Sequence, residues 1–278
     1  MPAEQIARNL AFVNWTLLAA LAVGSFGAVV LLRLRTEATK GYLGFTALCA
    51  AAFGALAWLS DGALPGAAAA GSPVTVNPAW EVPRRALLGL SAAGALVYAV
   101  VLFRAGRAGP LALAVAGAGA GALVLGALTW GGEAAGVALL AVQLLALAAA
   151  TGGVFAAMIL GHWYLVTPKL STDPALLLAR VMRGVVALQL ALFALWVGLG
   201  IGTSHAPLEP LTGPWALFVW LRLVVSLVFP LVVSWAAVQT VRTRSMESAT
   251  GLLYVNVGLI AAGTIDAAGL YFGAGLLV

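Results

Sequence analysis

A chain of 278 residues that is 63% hydrophobic and only 8% charged is not a soluble domain, which carries roughly 25% charged residues. Its net charge of +5 does not mark a nucleic-acid-binding protein, because the arginines and lysines collect at the edges of apolar runs rather than along one exposed face. A single cysteine, Cys49, excludes an intrachain disulfide and any multi-cysteine metal or iron–sulfur cluster held by this chain alone.

Crossing ~30 Å of hydrocarbon takes about 20 mostly apolar residues as a helix, since every backbone N–H and C=O must be bonded within the segment. Apolar runs of that kind lie near 9–32, 41–60, 84–103, 110–130, 134–166, 174–202, 213–241 and 249–276. They are continuous and rich in Ala and Leu, without the alternation of a transmembrane β-barrel. The expected fold is therefore an all-α integral membrane protein of eight transmembrane helices, forming a single polytopic domain over 1–278. The first run is too long for a signal peptide, and Arg33-Leu34-Arg35 follows it where a small-residue cleavage site belongs, so it is expected to remain as a spanning helix.

Charge alternates along the chain. Arg33, Arg35 and Lys40 follow the first run, Arg104 and Arg107 the third, Lys169, Arg180 and Arg183 surround the turn after the fifth, and Arg242 and Arg244 follow the seventh. The intervening connections carry Glu81, Arg84 and Arg85, then Glu133, then His205 and Glu209. Positive loops face the cytoplasm, which puts both termini on the non-cytoplasmic side, in the inner or plasma membrane of a prokaryote.

Trp130, Trp163, Tyr164 and Trp215 fall near run ends and are expected as interfacial anchors. Asp173 ahead of Pro174 reads as an N-cap and first helical position. Gly117, Gly119 and Gly121 in the fourth run, and Gly258, Gly263, Gly269 and Gly273 in the eighth, predict close helix packing that draws both helices into the bundle. The two halves of the chain have the same number of runs in the same orientation, consistent with two four-helix bundles related as a parallel repeat.

Charged groups in hydrocarbon cost at least ~2.5 kcal/mol and need a partner or a water path. Arg222 in the seventh run and Asp266 in the eighth have opposite charges at equal depth and are expected to pair, either as a proton or ion path or as a lock between two helices. Ser226 and Pro230 follow Arg222 at spacings of four and eight, on one helical stripe.

His162 sits with Trp163 and Tyr164 near the cytoplasmic end of the fifth run, which at about 33 residues should tilt, bend near Gly152-Gly153 or project beyond the bilayer. Arg180 and Arg183 start from the same side in the next run, and Gln239, Tyr254 and Asn256 fall at similar levels. Donors, a group titrating near neutrality and flat apolar walls are the parts of a quinone site. Interfacial anchoring is the competing reading for the same residues.

A transmembrane b-type haem takes two axial histidines at matching depth, whereas His162 and His205, the only histidines, are assigned to opposite sides. No bis-histidine haem is expected. HExxH, GxSxG, P-loop and paired acidic motifs are missing, so metalloprotease, serine hydrolase, nucleotide-driven pump and prenyltransferase chemistry lack their parts. In size and helix count the chain is similar to the quinol-oxidising membrane anchors of molybdoenzyme complexes, which also have about eight helices, with no shared motif.

Three functions follow as expectations. The leading one is a membrane subunit of a respiratory or electron-transfer complex that binds quinone around His162 and works with other subunits, including soluble redox proteins. The alternatives are a secondary transporter or ion or proton channel using Arg222 and Asp266, and a non-catalytic membrane scaffold.

Overall fold

A computed structural model describes residues 1–66, 72–105, 109–167, 169–201 and 206–278. Arg107, Pro168 and His205, with the Gly-Thr-Ser stretch before it, lie outside the described residues. The described residues are helical without a strand: α1 (Pro2–Arg8), α2 (Leu10–Arg35), α3 (Lys40–Asp61), α4 (Glu81–Ala105), α5 (Gly109–Trp130), α6 (Ala134–Val166), α7 (Asp173–Leu199), α8 (Ala216–Leu223), α9 (Phe229–Arg242) and α10 (Met246–Ala274). Residues Val224–Val228 form a π-helical segment that joins α8 to α9. The described residues thus hold eight spans long and apolar enough to cross a membrane, α8, the π segment and α9 together making the seventh.

Local chemistry sets the helix ends. Thr39 caps α3, its hydroxyl accepting from the Tyr42 N–H at 3.3 Å. Gly275, with φ of +69°, terminates α10 while the Gly275 and Leu276 N–H groups bond back to Tyr271 and Leu270 carbonyls at 2.8 and 3.2 Å. Glycine is suited to that left-handed position because it has no Cβ to clash. For α7 the helix begins one residue earlier than expected: Thr172 holds the cap position and Asp173 is already helical, accepting from the Ser171 hydroxyl at 2.9 Å.

Helix α6 is the most enclosed, with 78% of its apolar window buried against 50% for α2 and less for every other span. It contacts α2, α5, α7 and α10, and α2 in turn packs on α3. The tightest crossing joins α2 to α6. A Cβ on Gly24 would run into the Ala148 carbonyl, and one on Gly152 would run into the backbone of Gly24 and Ser25. The Ser25 hydroxyl donates to the Gly152 carbonyl at 3.2 Å across the same crossing. Where lipid replaces water, such backbone approach and interhelical hydrogen bonding drive association. Gly152-Gly153 therefore marks a packing contact, and α6 stays helical through it, with Gly153 facing Met182.

Two expectations about glycine and aromatic residues change. The fourth span is buried to the same extent as the eighth, 39% of each apolar window, but its glycines divide: Gly117 faces open space, while Gly119 meets Ser91 and Val23 and Gly121 meets Leu87. In α10, Gly263 meets Ser226, Gly269 meets Ile6 and Gly273 meets Trp215, but Gly258 faces open space. Trp130 and Tyr164 are not interfacial anchors, being 1% and 2% exposed. Both turn inward because the bundle supplies partners for them. Trp130 stacks edge-on against Trp15 with ring centroids 4.8 Å apart, and the Tyr164 hydroxyl donates to the Ser171 carbonyl.

Candidate functional site

The interior of a transmembrane bundle punishes any polar atom left without a partner. One layer of this protein collects several of them. Gln143 lies nine residues past Ala134, Gln189 ten before Leu199, Arg222 six past Ala216 and Asp266 eight before Ala274. At 1.5 Å per residue all four sit within about 15 Å of the same end of the bundle.

Arg222 is 2% exposed, and its guanidinium makes two long hydrogen bonds, to the Gly263 carbonyl at 3.4 Å and to the Gln189 side-chain oxygen at 3.5 Å. Its Nε has no partner, nor do Gln189 Nε2, Gln143 Oε1 and Asp266 Oδ2. Asp266 lies within electrostatic reach of Arg222. Yet the two do not close to an ion pair, and among the described residues no carboxylate comes within 4.0 Å of Arg222. A cleft of about 10 Å³ bounded by Gln143, Ala146, Leu147, Gln189, Leu192, Trp196, Arg222 and Val278 opens beside it. That is room for about one water molecule with polar walls to hold it.

The backbone is also irregular here. The π segment begins two residues after Arg222, and the Ser226 hydroxyl donates to the carbonyl of Leu221, five residues back, at 3.5 Å. Pro230, which has no N–H to donate, follows at the start of α9. Gly263 on α10 has no side chain, which lets Ser226 and the Arg222 guanidinium approach; a Cβ there would come 2.5 Å from Ser226 Cβ and 2.9 Å from Arg222 Nη1. Insertions of this kind in a helix frequently occur at functional sites. Deeper along the same helices, Thr151 and Thr264 share a hydrogen bond of 2.6 Å, and Asn256 donates to Ser234 at 2.9 Å.

The residues around His162 are arranged differently. His162 is exposed on the flank of α6, Trp163 covers Gly41 of α3, and Tyr164 points into the core. Arg180 is exposed and Arg183 half-buried on α7. None of the five lines a cavity described for the bundle: the nearest, between α6, α7, α9 and α10, is walled by apolar residues such as Leu160, Leu178 and Leu253. Gln239 pairs with Arg242 at 3.4 Å and Tyr254 is exposed.

A second buried charge lies at the same end as the polar layer, and its ion pair is closed. Arg84 donates to Asp61 through Nε at 2.9 Å and Nη2 at 3.2 Å, and Trp15 Nε1 adds a third bond to Asp61 at 2.8 Å. The guanidinium stands 4.5 Å from the centre of Trp130 and 5.6 Å from Trp15. From the sequence alone Arg84 is expected in an exterior connection, and Asp61 is assigned no role. The available signal was a lone acid at the end of one apolar run and an arginine at the start of the next. Comparison with protein-family models and with curated proteins finds no match for this chain.

Proposed function

We propose that this protein is a membrane transporter or channel that moves protons or a proton-coupled solute, with Asp266 as its proton-binding group and Arg222 as the charge that poises it. The carrying observation is the open pair: a buried guanidinium and a nearby carboxylate that do not lock together and share a layer with two glutamines whose Gln143 Oε1 and Gln189 Nε2 have no partner. A pair serving only to join two helices gains most by closing, as Arg84 and Asp61 do. An open pair leaves the Asp266 oxygen accessible to a proton and the guanidinium accessible to water or an anion. With Asp266 ionised the layer is neutral; with Asp266 protonated it carries one positive charge that favours an anion.

The π segment supports the same reading, since interrupted helices near the membrane interior are where transporters bind ions. The basic residues Arg33, Arg35, Lys40, Arg104, Arg242 and Arg244 lie at the opposite end of the bundle, so the layer is nearer the non-cytoplasmic side, where both termini then lie. Helices α2 to α5 pack among themselves, as do α6 to α10, but the α2–α6 crossing ties one half to the other, so the packing does not divide the chain into two separate bundles. The quinone reading draws on His162, Trp163, Tyr164, Arg180 and Arg183, and among the described residues none of the cavities described for the bundle is lined by them.

The test is proton flux into liposomes reconstituted with the purified chain, followed with a trapped pH-sensitive dye under a potassium diffusion potential. Wild-type protein conducts, and Asp266→Asn, verified as folded by its thermal transition, does not. Flux that is equal in wild type and Asp266→Asn rules the assignment out, as does a wild type that moves neither protons nor an anion under an imposed pH gradient.

A further inference from the structure

The lipid-facing side of α3 and α4 carries an apolar groove of about 610 Å³. Its floor is made of small residues, Ala51, Ala52 and Ala55 on α3 and Ala92 and Ala93 on α4. Gly89 lets Trp58 lie against α4; a Cβ there would come 3.0 Å from the indole ring. The groove reaches from Trp58 to Leu48, ten residues of helix or about 15 Å. That is half of the ~30 Å hydrocarbon core, the depth of one leaflet. Beyond it the same interface is filled, because Phe103 packs onto Gly44.

A cation stands at the open end. The Arg85 guanidinium lies 4.8 Å from the centre of the Trp58 ring and beside Gly62, where a Cβ would come 2.8 Å from Arg85 Nη2. Its neighbour Asp61 is already engaged by Arg84 and Trp15. Arg85 Nε has no partner, and among the described residues no carboxylate, Glu81 one turn away included, comes within ion-pair distance of it. The site therefore offers a half-bilayer slot for an alkyl chain and, at its open end, a half-buried arginine stacked on Trp58 with no carboxylate in ion-pair distance among the described residues.

We infer that this groove binds an anionic phospholipid, one acyl chain in the slot and the phosphate on Arg85. A partner helix fits less well: it would require a groove along the whole length of α3 and α4, and would cover Arg85 without neutralising it. The lipid satisfies both ends, since phosphate accepts from guanidinium in a charge-assisted geometry and the chain fills the apolar slot.

The experiment is tryptophan quenching in nanodiscs containing brominated phosphatidylglycerol or brominated phosphatidylcholine at equal mole fraction. The Trp58 contribution is isolated as the difference between wild type and Trp58→Phe. Phosphatidylglycerol is expected to occupy the site about fivefold more readily, the effect of one basic residue on an anionic lipid. Arg85→Gln abolishes that preference, and Ala93→Phe removes quenching of Trp58 by both lipids. Equal quenching by the two lipids in wild type, a preference that survives Arg85→Gln, or a disulfide-linked dimer of the Ala52→Cys variant under mild oxidation that shields Trp58 overturns the assignment. Because Arg85 is only partly buried and keeps no internal ion pair, Arg85→Gln folds and decides the matter even if Ala93→Phe does not fold.

Discussion

Asp61 and Arg84 meet through two hydrogen bonds of 2.9 and 3.2 Å with each side chain only 3% exposed. The pair ties the end of α3 to the start of α4 across the connection 62–80, and Trp15 and Trp130 enclose it. Buried ion pairs add little when compared with a packed apolar pair, but breaking one side strands a charge. Asp61→Asn or Arg84→Met alone is therefore expected to cost about 3–5 kcal/mol, and Asp61→Leu with Arg84→Met together considerably less than the sum. Thermal unfolding in detergent followed by tryptophan emission checks this, since Trp15 and Trp130 touch the pair. Single variants with unchanged transitions contradict it.

Arg222 and Asp266 call for the opposite pattern of energetics. The open geometry leaves each charge partly uncompensated, so removing one changes the burden on the other. In a double-mutant cycle of Arg222→Gln and Asp266→Asn the coupling energy is expected within the range of about 0.5–3 kcal/mol seen for interacting neighbours. A coupling indistinguishable from zero means that the two groups do not sense each other.

Gly152 and Gly27 make a matched contrast. A Cβ at Gly152 meets the Gly24 and Ser25 backbone, which has nowhere to move, whereas at Gly27 nothing lies within 4 Å. Gly152→Ala is expected to cost about 3 kcal/mol, the upper end of ordinary overpacking. Gly27→Ala is expected to be neutral or to stabilise by up to about 1 kcal/mol through helix propensity. Similar unfolding transitions for the two variants would place the α2–α6 crossing elsewhere.

His162 is exposed and makes no hydrogen bond among the described residues. His162→Ala is expected to leave stability within about 0.5 kcal/mol and to leave any co-purified quinone, measured by extraction and chromatography, at the wild-type level. A variant that loses quinone retained by wild type restores the electron-transfer reading and identifies His162 as part of its site.

How far the site was legible follows from which signals are local. Arg222 and Asp266 stand out in sequence because an ionised group in hydrocarbon is costly wherever its partners are, and counting residues from the run ends gave them one depth. Gln143 and Gln189 raised no such signal, since a neutral amide in an apolar run says nothing about which way it faces. The π segment was equally hidden: Ser226 and Pro230 read as one stripe of a regular helix, whereas the turn at 224–228 takes an extra residue where Ser226 packs on Gly263 of α10. The His162 group was legible only as a shared membrane level, and level carries no information about rotation around each helix axis.

Helicity, the presence of eight segments long and apolar enough to span a membrane, and their approximate ends are all written in the order of the residues. Those properties follow from backbone hydrogen bonding without water and from segment length, both of which are local. Which helix is central, which glycines touch backbone, that Trp130 and Tyr164 turn inward, and that one buried arginine closes on its aspartate while the other does not emerge only when the helices pack. These depend on helix rotation and crossing, and in a chain with apolar residues on every face of its helices no hydrophobic stripe announces them. Packing of small residues and satisfaction of the few polar atoms settle the rotation instead, and both are properties of pairs of helices brought together from distant parts of the chain.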